Sequence, residues 1–199
     1  MGAASGRQRE RIVSATGRLF RDKGYHGTSM ADIGKAVGLE KGSLYAHIAA
    51  KHDVLRELVE RGAAYFMDAL APVAAAREPS HVKLRLAMRA HLGVVAAHPD
   101  LAAVFLQEWR RLEGEDRERI GKLRDEYEAI WRGLVDEGIC DGTLRPDVDR
   151  RFAALLFLSA GNWAYQWFDP YGALSSHDVA DRFTDHILTG LTPRTSVDR

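Results

Sequence analysis

Apolar positions recur at helical spacing along nearly the whole of this 199-residue chain. Ile12, Ala15, Thr16, Leu19 and Phe20 fall at i, i+3, i+4, i+7 and i+8, which predicts one buried stripe on a first helix. The stretch "DKGYHG" ends it, with Gly24 placed as a C-terminal cap. In "TSMAD", Thr28 stands ahead of Asp32 as the expected N-cap of a second helix, which turns Met30, Ile33 and Val37 inward. Gly38 then occupies a tight turn, and a third, short helix is expected over about residues 40–47. Three short helices joined by glycine-containing turns form a helix-turn-helix pattern.

From Lys51 the periods lengthen. Leu55, Leu58, Val59, Tyr65 and Phe66 mark a long fourth helix with Pro72 near its end. A helix is entered after Pro79 and stopped before Pro99, and a shorter one runs through "LAAVFLQEWRRL". Ile120, Leu123, Tyr127, Trp131 and Leu134 lie on the buried side of the next. "GICDGTLRPD" reads as a loop, Asp149 caps a helix over about 149–168, and a last helix covers about 175–190. No stretch alternates over more than a few residues. The expected fold is all-α: a three-helix head at residues 1–50 and a helical body at 51–199.

Composition changes this picture in one respect. Apolar residues make up 46% and charged residues 28%, ordinary for a globular chain, and the formal net charge is zero. Yet residues 1–51 hold nine Lys/Arg against four Asp/Glu, and the remainder hold nineteen against twenty-four. A basic head on an acidic body suits a polyanionic partner, although a short window also becomes unbalanced by chance. The N-terminus has no apolar segment of the secretory kind, and no apolar run approaches the ~20 residues that span a bilayer. Cys140 is the single cysteine, so no intrachain disulfide forms, which fits a cytoplasmic setting.

The segment "LEKGSLYAHIAAKH" is a helix with few apolar anchors. Gly42 in it costs about 1 kcal/mol against alanine. Small and polar residues on a short helix make a surface suited to close approach. Leu44 and Ile48, at i and i+4, are its core side. Lys41 brings charge, Gly42 lets the backbone approach, and Ser43 donates to or accepts from a base edge. Tyr45, His47, Thr28 and Lys51 are placed to meet phosphates. Each also has a plainer reading, Tyr45 as packing and His47 as solvated surface.

The order "RIVSATGRLFRDKGYHGTSMADIGKAVGLEKGSLYAHIAAKHDVL" resembles the DNA-binding domain of TetR-family transcriptional regulators. The resemblance covers residues 9–55 through "GY.GTS", "IG.A.G", "KGSLY.H" and "K.DVL". Ile48 stands where relatives usually carry phenylalanine, and Ala49-Ala50 where a polar pair is common. The family implies binding to a palindromic double-stranded DNA operator as a homodimer, with the last two helices of each chain at the interface.

"FLQEWRRL", "YEAIWRGLVDEGICDGTLRPDVD" and "NWAYQWFDPYG" are similar to the effector domains of TetR-type repressors of fatty-acid, steroid and aromatic-acid catabolism. That likeness implies release from DNA by an acyl-CoA or related CoA thioester, with Gln166 standing where some relatives have arginine. Phe66, Phe105, Trp109, Tyr127, Trp131, Trp163 and Trp167 are the candidate lining for the acyl group, and Arg110, Arg111, Arg124 and Arg132 the candidates for CoA phosphates. Aromatics at helical spacing also serve as ordinary core, and a lipophilic drug, a steroid or a free fatty acid would suit the same lining.

An enzyme is not expected. The chain has no G-x-S-x-G, no phosphate-binding glycine loop, no G-x-G-x-x-G and no C-x-x-C. His81, His91 and His98 are spaced by ten and seven without a carboxylate pattern, so no metal or other cofactor is expected. Three readings remain: a ligand-released repressor, a DNA-binding regulator without an effector, and a helical enzyme whose head only resembles a DNA reader.

Overall fold

The computed structural model describes residues 2–192, with side chains from residue 5 onward. Among these residues every regular element is helical. The α-helices are α1 (Gly2–Lys23), α2 (Met30–Val37), α3 (Lys41–Tyr45), α4 (Lys51–Ala75), α5 (Ser80–Ala97), α6 (Pro99–Ala103), α7 (Gly114–Cys140), α8 (Arg150–Trp167) and α9 (Ser176–Leu191). The "LAAVFLQEWRRL" segment departs from a plain helix. After α6 it widens into a π turn at Val104–Glu108 and tightens into a 3-10 turn at Trp109–Arg111.

Two compact units result. The first takes the residues up to Ala64 together with His98–Leu123, and the second takes Tyr65–Ala97 with Arg124 onward. In the first, Ile12, Thr16 and Phe20 of α1 are buried with Ile33, Leu44, Ile48, Leu55 and Leu58. Thr16 satisfies its hydroxyl on the Ile12 carbonyl at 2.8 Å. Ile48 fills the small core in spite of its departure from the usual phenylalanine.

The start of α2 corrects one expectation. Its N-cap is Ser29, not Thr28. Ser29 Oγ accepts from the Asp32 N–H at 3.1 Å, and the Asp32 carboxylate accepts from the Ser29 N–H at 2.9 Å, a reciprocal capping box. Thr28, one residue earlier, is buried and donates its hydroxyl to the Gly24 carbonyl at 3.0 Å. Gly38 closes α2 at φ 68°, a left-handed conformation that a side chain would strain. Asp149 caps α8 as expected, accepting from the Phe152 N–H.

In the second unit α5 packs along α9. Arg89 grips the Asp181 carboxylate with two bonds of 2.7 and 2.6 Å, and Arg85 reaches Asp185. Lys83, almost wholly buried, ends on Glu137 at 2.6 Å. The core joins Leu84 and Met88 of α5 to Phe66 and Leu70 of α4, Trp131 of α7 and Phe157 of α8.

Candidate functional site

α3 is held from one side only. Leu44 and Ile48 are buried, whereas Lys41, Gly42, Ser43 and Tyr45 are exposed and His47 is half-buried. A Cβ built on Gly42 would meet no atom within 4 Å. Packing therefore gives no reason for a glycine there, and the bare backbone is left to whatever approaches from outside. The turn between α2 and α3 is closely packed: the Leu39 N–H bonds the Gly34 carbonyl at 2.9 Å, and a Cβ on Gly34 would lie 3.0 Å from the Leu39 carbonyl oxygen.

Thr28 and Lys51 are held differently from the α3 residues. The Thr28 hydroxyl is used inside its own turn. Lys51 Nζ donates to the carbonyls of Tyr25 and Thr28 at 2.8 and 2.9 Å and stands 4.2 Å above the centre of the Tyr25 ring. This ammonium pins the first turn of α4 to the entry of α2. The same entry is pinned again by Glu108, in the π turn, whose carboxylate accepts the Tyr25 N–H at 3.1 Å.

One basic group was missed by the motif reading. Arg7, Arg11 and Arg18 are exposed and lie on one face of α1 at i, i+4 and i+11. Among the described residues none of them pairs with a carboxylate; Arg11 reaches Gln8 and Arg18 reaches Ser14. The signal was present in the charge asymmetry and in the helical period of these three arginines.

The seven aromatic candidates divide. Phe66, Tyr127 and Trp131 meet in the core of the second unit around His91. The Tyr127 hydroxyl lies 2.8 Å from His91 Nδ1, and Trp131 stacks on Phe157 with ring centres 5.6 Å apart. His91 Nε2 and Trp131 Nε1 have no well-formed hydrogen bond. Burial pushes the His91 imidazole down to about 4, against a smaller opposing pull from the Gly161 backbone. Burial likewise pushes the Tyr127 phenol up. Phe105 and Trp109 belong to the first unit. Trp163 and Trp167 are exposed on α8. Of the candidate arginines, Arg111 sits 3.6 Å from Glu108 and Arg132 3.2 Å from Glu128, while Arg110 lies over the Trp109 ring.

The exposed face of α8 is strongly apolar. At 3.6 residues per turn, Phe152, Leu156, Trp163 and Trp167 fall within a sector of about 60°. Phe152 is 72% and Trp163 63% exposed. Such a contiguous patch is the mark of an interaction surface. Among the described residues no helix is long and apolar enough to cross a membrane, and no three acidic, histidine or cysteine side chains cluster as metal ligands.

A helix-turn-helix whose third helix is polar outward, in a chain of two helical units, defines a class. The family of bacterial regulatory proteins named for tetR matches residues 12–58, and the tetracyclin repressor-like C-terminal domain matches residues 77–191. The chain belongs to the TetR family, and it is a DNA-binding transcriptional regulator rather than an enzyme. The HTH-type transcriptional repressor KstR2 of Rhodococcus jostii is 28% identical over 193 residues, covering 94% of this chain and 92% of that protein. PfmR, a TetR-family transcriptional regulator from Thermus thermophilus, superposes with a TM-score of 0.81 at 32% identity, over 92% of this chain and 100% of its own. AibR, solved in complex with isovaleryl coenzyme A and operator DNA, superposes with a TM-score of 0.78 at 28% identity, over 94% of this chain and 100% of its own.

Proposed function

We propose that this regulator is a repressor that binds a palindromic operator as a homodimer and is released by an acyl-CoA or related CoA thioester. The observation that carries the DNA half is the outward face of α3. Lys41, Gly42, Ser43 and Tyr45 are free of the core that Leu44 and Ile48 anchor. In this reading Ser43 and the Gly42 backbone meet base edges, while Tyr45, His47 and the basic stripe of α1 meet phosphates. Thr28 and Lys51 serve the same surface by holding the entry of α2 in place. Residues 1–50 read DNA, residues 51–199 bind the effector and dimerise, and the protein acts in the cytoplasm. The apolar face of α8 supports the dimer.

The thioester half draws on two supports. One is the buried aromatic group of Phe66, Tyr127 and Trp131, with its polar pair His91–Tyr127. The other is the company the chain keeps: AibR is described with isovaleryl coenzyme A and operator DNA together. The mechanism is a population shift, in which the ligand favours a conformation whose two α3 helices no longer match the groove spacing. A hundredfold loss of operator affinity needs about 2.7 kcal/mol of coupling, and operator DNA must weaken ligand binding by the same factor.

The test is a mobility-shift titration on the duplex that the protein selects from a random pool. A panel of short, long and ring-containing CoA thioesters is added, with the free acids, a steroid and a lipophilic drug in parallel. Release by one thioester class supports the reading. Release by a free acid, steroid or drug alone moves the effector to that class, and an unresponsive complex leaves a regulator without a small-molecule effector among those tested.

A further inference from the structure

Several arginines of the first unit are neutralised in place. Arg9 pairs with Glu57, Arg21 with Asp100, Arg56 with Asp116, Arg61 with Glu10 and Arg119 with Glu60. Arg110 and Arg117, like Arg7, Arg11 and Arg18 of α1, are exposed, and among the described residues they pair with no carboxylate. Arg110 and Arg117 converge with Arg111, His26 and His52 on a cleft of about 360 Å³, within the size range of small-molecule sites. Two carboxylates are near. Glu113 lines the cleft, and Glu108 is buried, turned toward the Tyr25 N–H and Arg111. Three guanidinium groups therefore face one free carboxylate and one that is already engaged.

We infer that this cleft binds a phosphoryl group carried by a small molecule. Guanidinium forks match phosphoryl oxygens two bonds at a time and keep their charge at any physiological pH. Stable folding does not require unpaired arginines here, because Leu112 anchors this segment by its own burial. The site is concave, whereas a duplex backbone is met by side chains that project. Its position also gives it leverage. One wall is the Tyr25–His26 turn that leads into α2, next to the first turn of α4, and the other is the 110–117 segment. An occupant that bridges them biases the elements on which α3 is mounted, and any such coupling is reciprocal. This inference rests on the reading that a small effector controls DNA binding, and it assigns a phosphoryl group to that control.

Isothermal titration of the full chain with inorganic pyrophosphate tests it. The expected result is saturable binding, one per chain, weakened about tenfold in Arg110→Gln and in Arg117→Gln, as loss of a charge-assisted bond predicts. Arg77→Gln, an exposed arginine of the other unit, controls for net charge and should leave binding unchanged. Absence of saturable binding, or equal weakening in Arg77→Gln, overturns the inference. A second arm measures the salt dependence of binding to the selected duplex. An unchanged slope in Arg117→Gln supports a small-molecule site; a slope reduced by about one per chain assigns the cleft to the DNA backbone and overturns it. Pyrophosphate binding with no thioester response retires the thioester and keeps the cleft. A thioester response undiminished in Arg117→Gln, without pyrophosphate binding, does the reverse.

Discussion

Lys51 Nζ and the Tyr25 carbonyl oxygen are 2.8 Å apart, and the same ammonium stands over the Tyr25 ring. The lysine that the motif assigns to phosphate thus also closes the joint between α4 and the entry of α2. Lys51→Ala should accordingly lower stability by about 1–3 kcal/mol, since two buried-side carbonyls lose a charged donor. It should weaken binding to all duplexes together. Ser43→Ala should leave stability unchanged and alter base preference. Denaturant melts paired with binding selection on random duplexes separate the two; a Lys51→Ala protein of wild-type stability would contradict the structural role.

Ser29→Ala removes the capping box of α2. The expected cost is about 1 kcal/mol, read from urea unfolding. Asp32 is held below its usual carboxylate range first by the Ser29 hydroxyl and then by the Ser29 amide. Its contribution is present above the ordinary aspartate pKa and fades as pH falls through the depressed value. The variant should therefore lose part of the wild type's acid sensitivity below about pH 4.

His91 supplies a second acid response, in the other unit. Its folded value of about 4 lies below the ordinary 6.5, so the unfolded chain binds the extra proton between them. The stabilisation by neutral His91 is complete above about pH 6.5 and is lost as pH falls toward 4, by a total on the order of 3 kcal/mol. Unfolding free energies measured from about pH 7 to about pH 4.5 should fall along this curve. In His91→Gln, which keeps a polar partner for Tyr127, the curve should flatten.

Gly161 and His91 are in tight contact. A Cβ on Gly161 would lie 2.8 Å from His91 Cδ2, and the ring is wedged among Phe66, Tyr127 and Trp131. Gly161→Ala should cost about 1–3 kcal/mol by overpacking. Gly133→Ala, in α7 with no atom within 4 Å of the new carbon, should gain about 0.5–1 kcal/mol from helix propensity. Thermal melts of the two single variants give the comparison; equal effects would remove the packing argument.

The exposed face of α8 predicts the assembly. Phe152→Glu combined with Trp163→Glu should yield folded monomers in sedimentation, with operator affinity reduced to that of isolated half-sites. A double variant that still sediments as a dimer would show that the chains associate elsewhere.

The all-helical fold and the helix-turn-helix head were legible in the chain because they depend on local signals. Helical period, the Gly38 turn and the Leu44–Ile48 anchor act over a few residues; the first two stand as read, and Leu44 and Ile48 are both buried, although α3 ends at Tyr45 and Ile48 follows it rather than sharing its helix. The α2 cap was misread by one residue for a related reason: Thr28 and Ser29 are both capping types, and only the packing of Thr28 beneath α1 shows which one is free to cap. The aromatic candidates depended on tertiary structure altogether. Phe66, Trp131 and Trp163 look alike in sequence, yet the first two are buried around His91 and the third faces outward. The convergence of Arg110 and Arg117 with His26 and His52 has no sequence signature, because the two pairs are far apart along the chain and meet only when the helices pack.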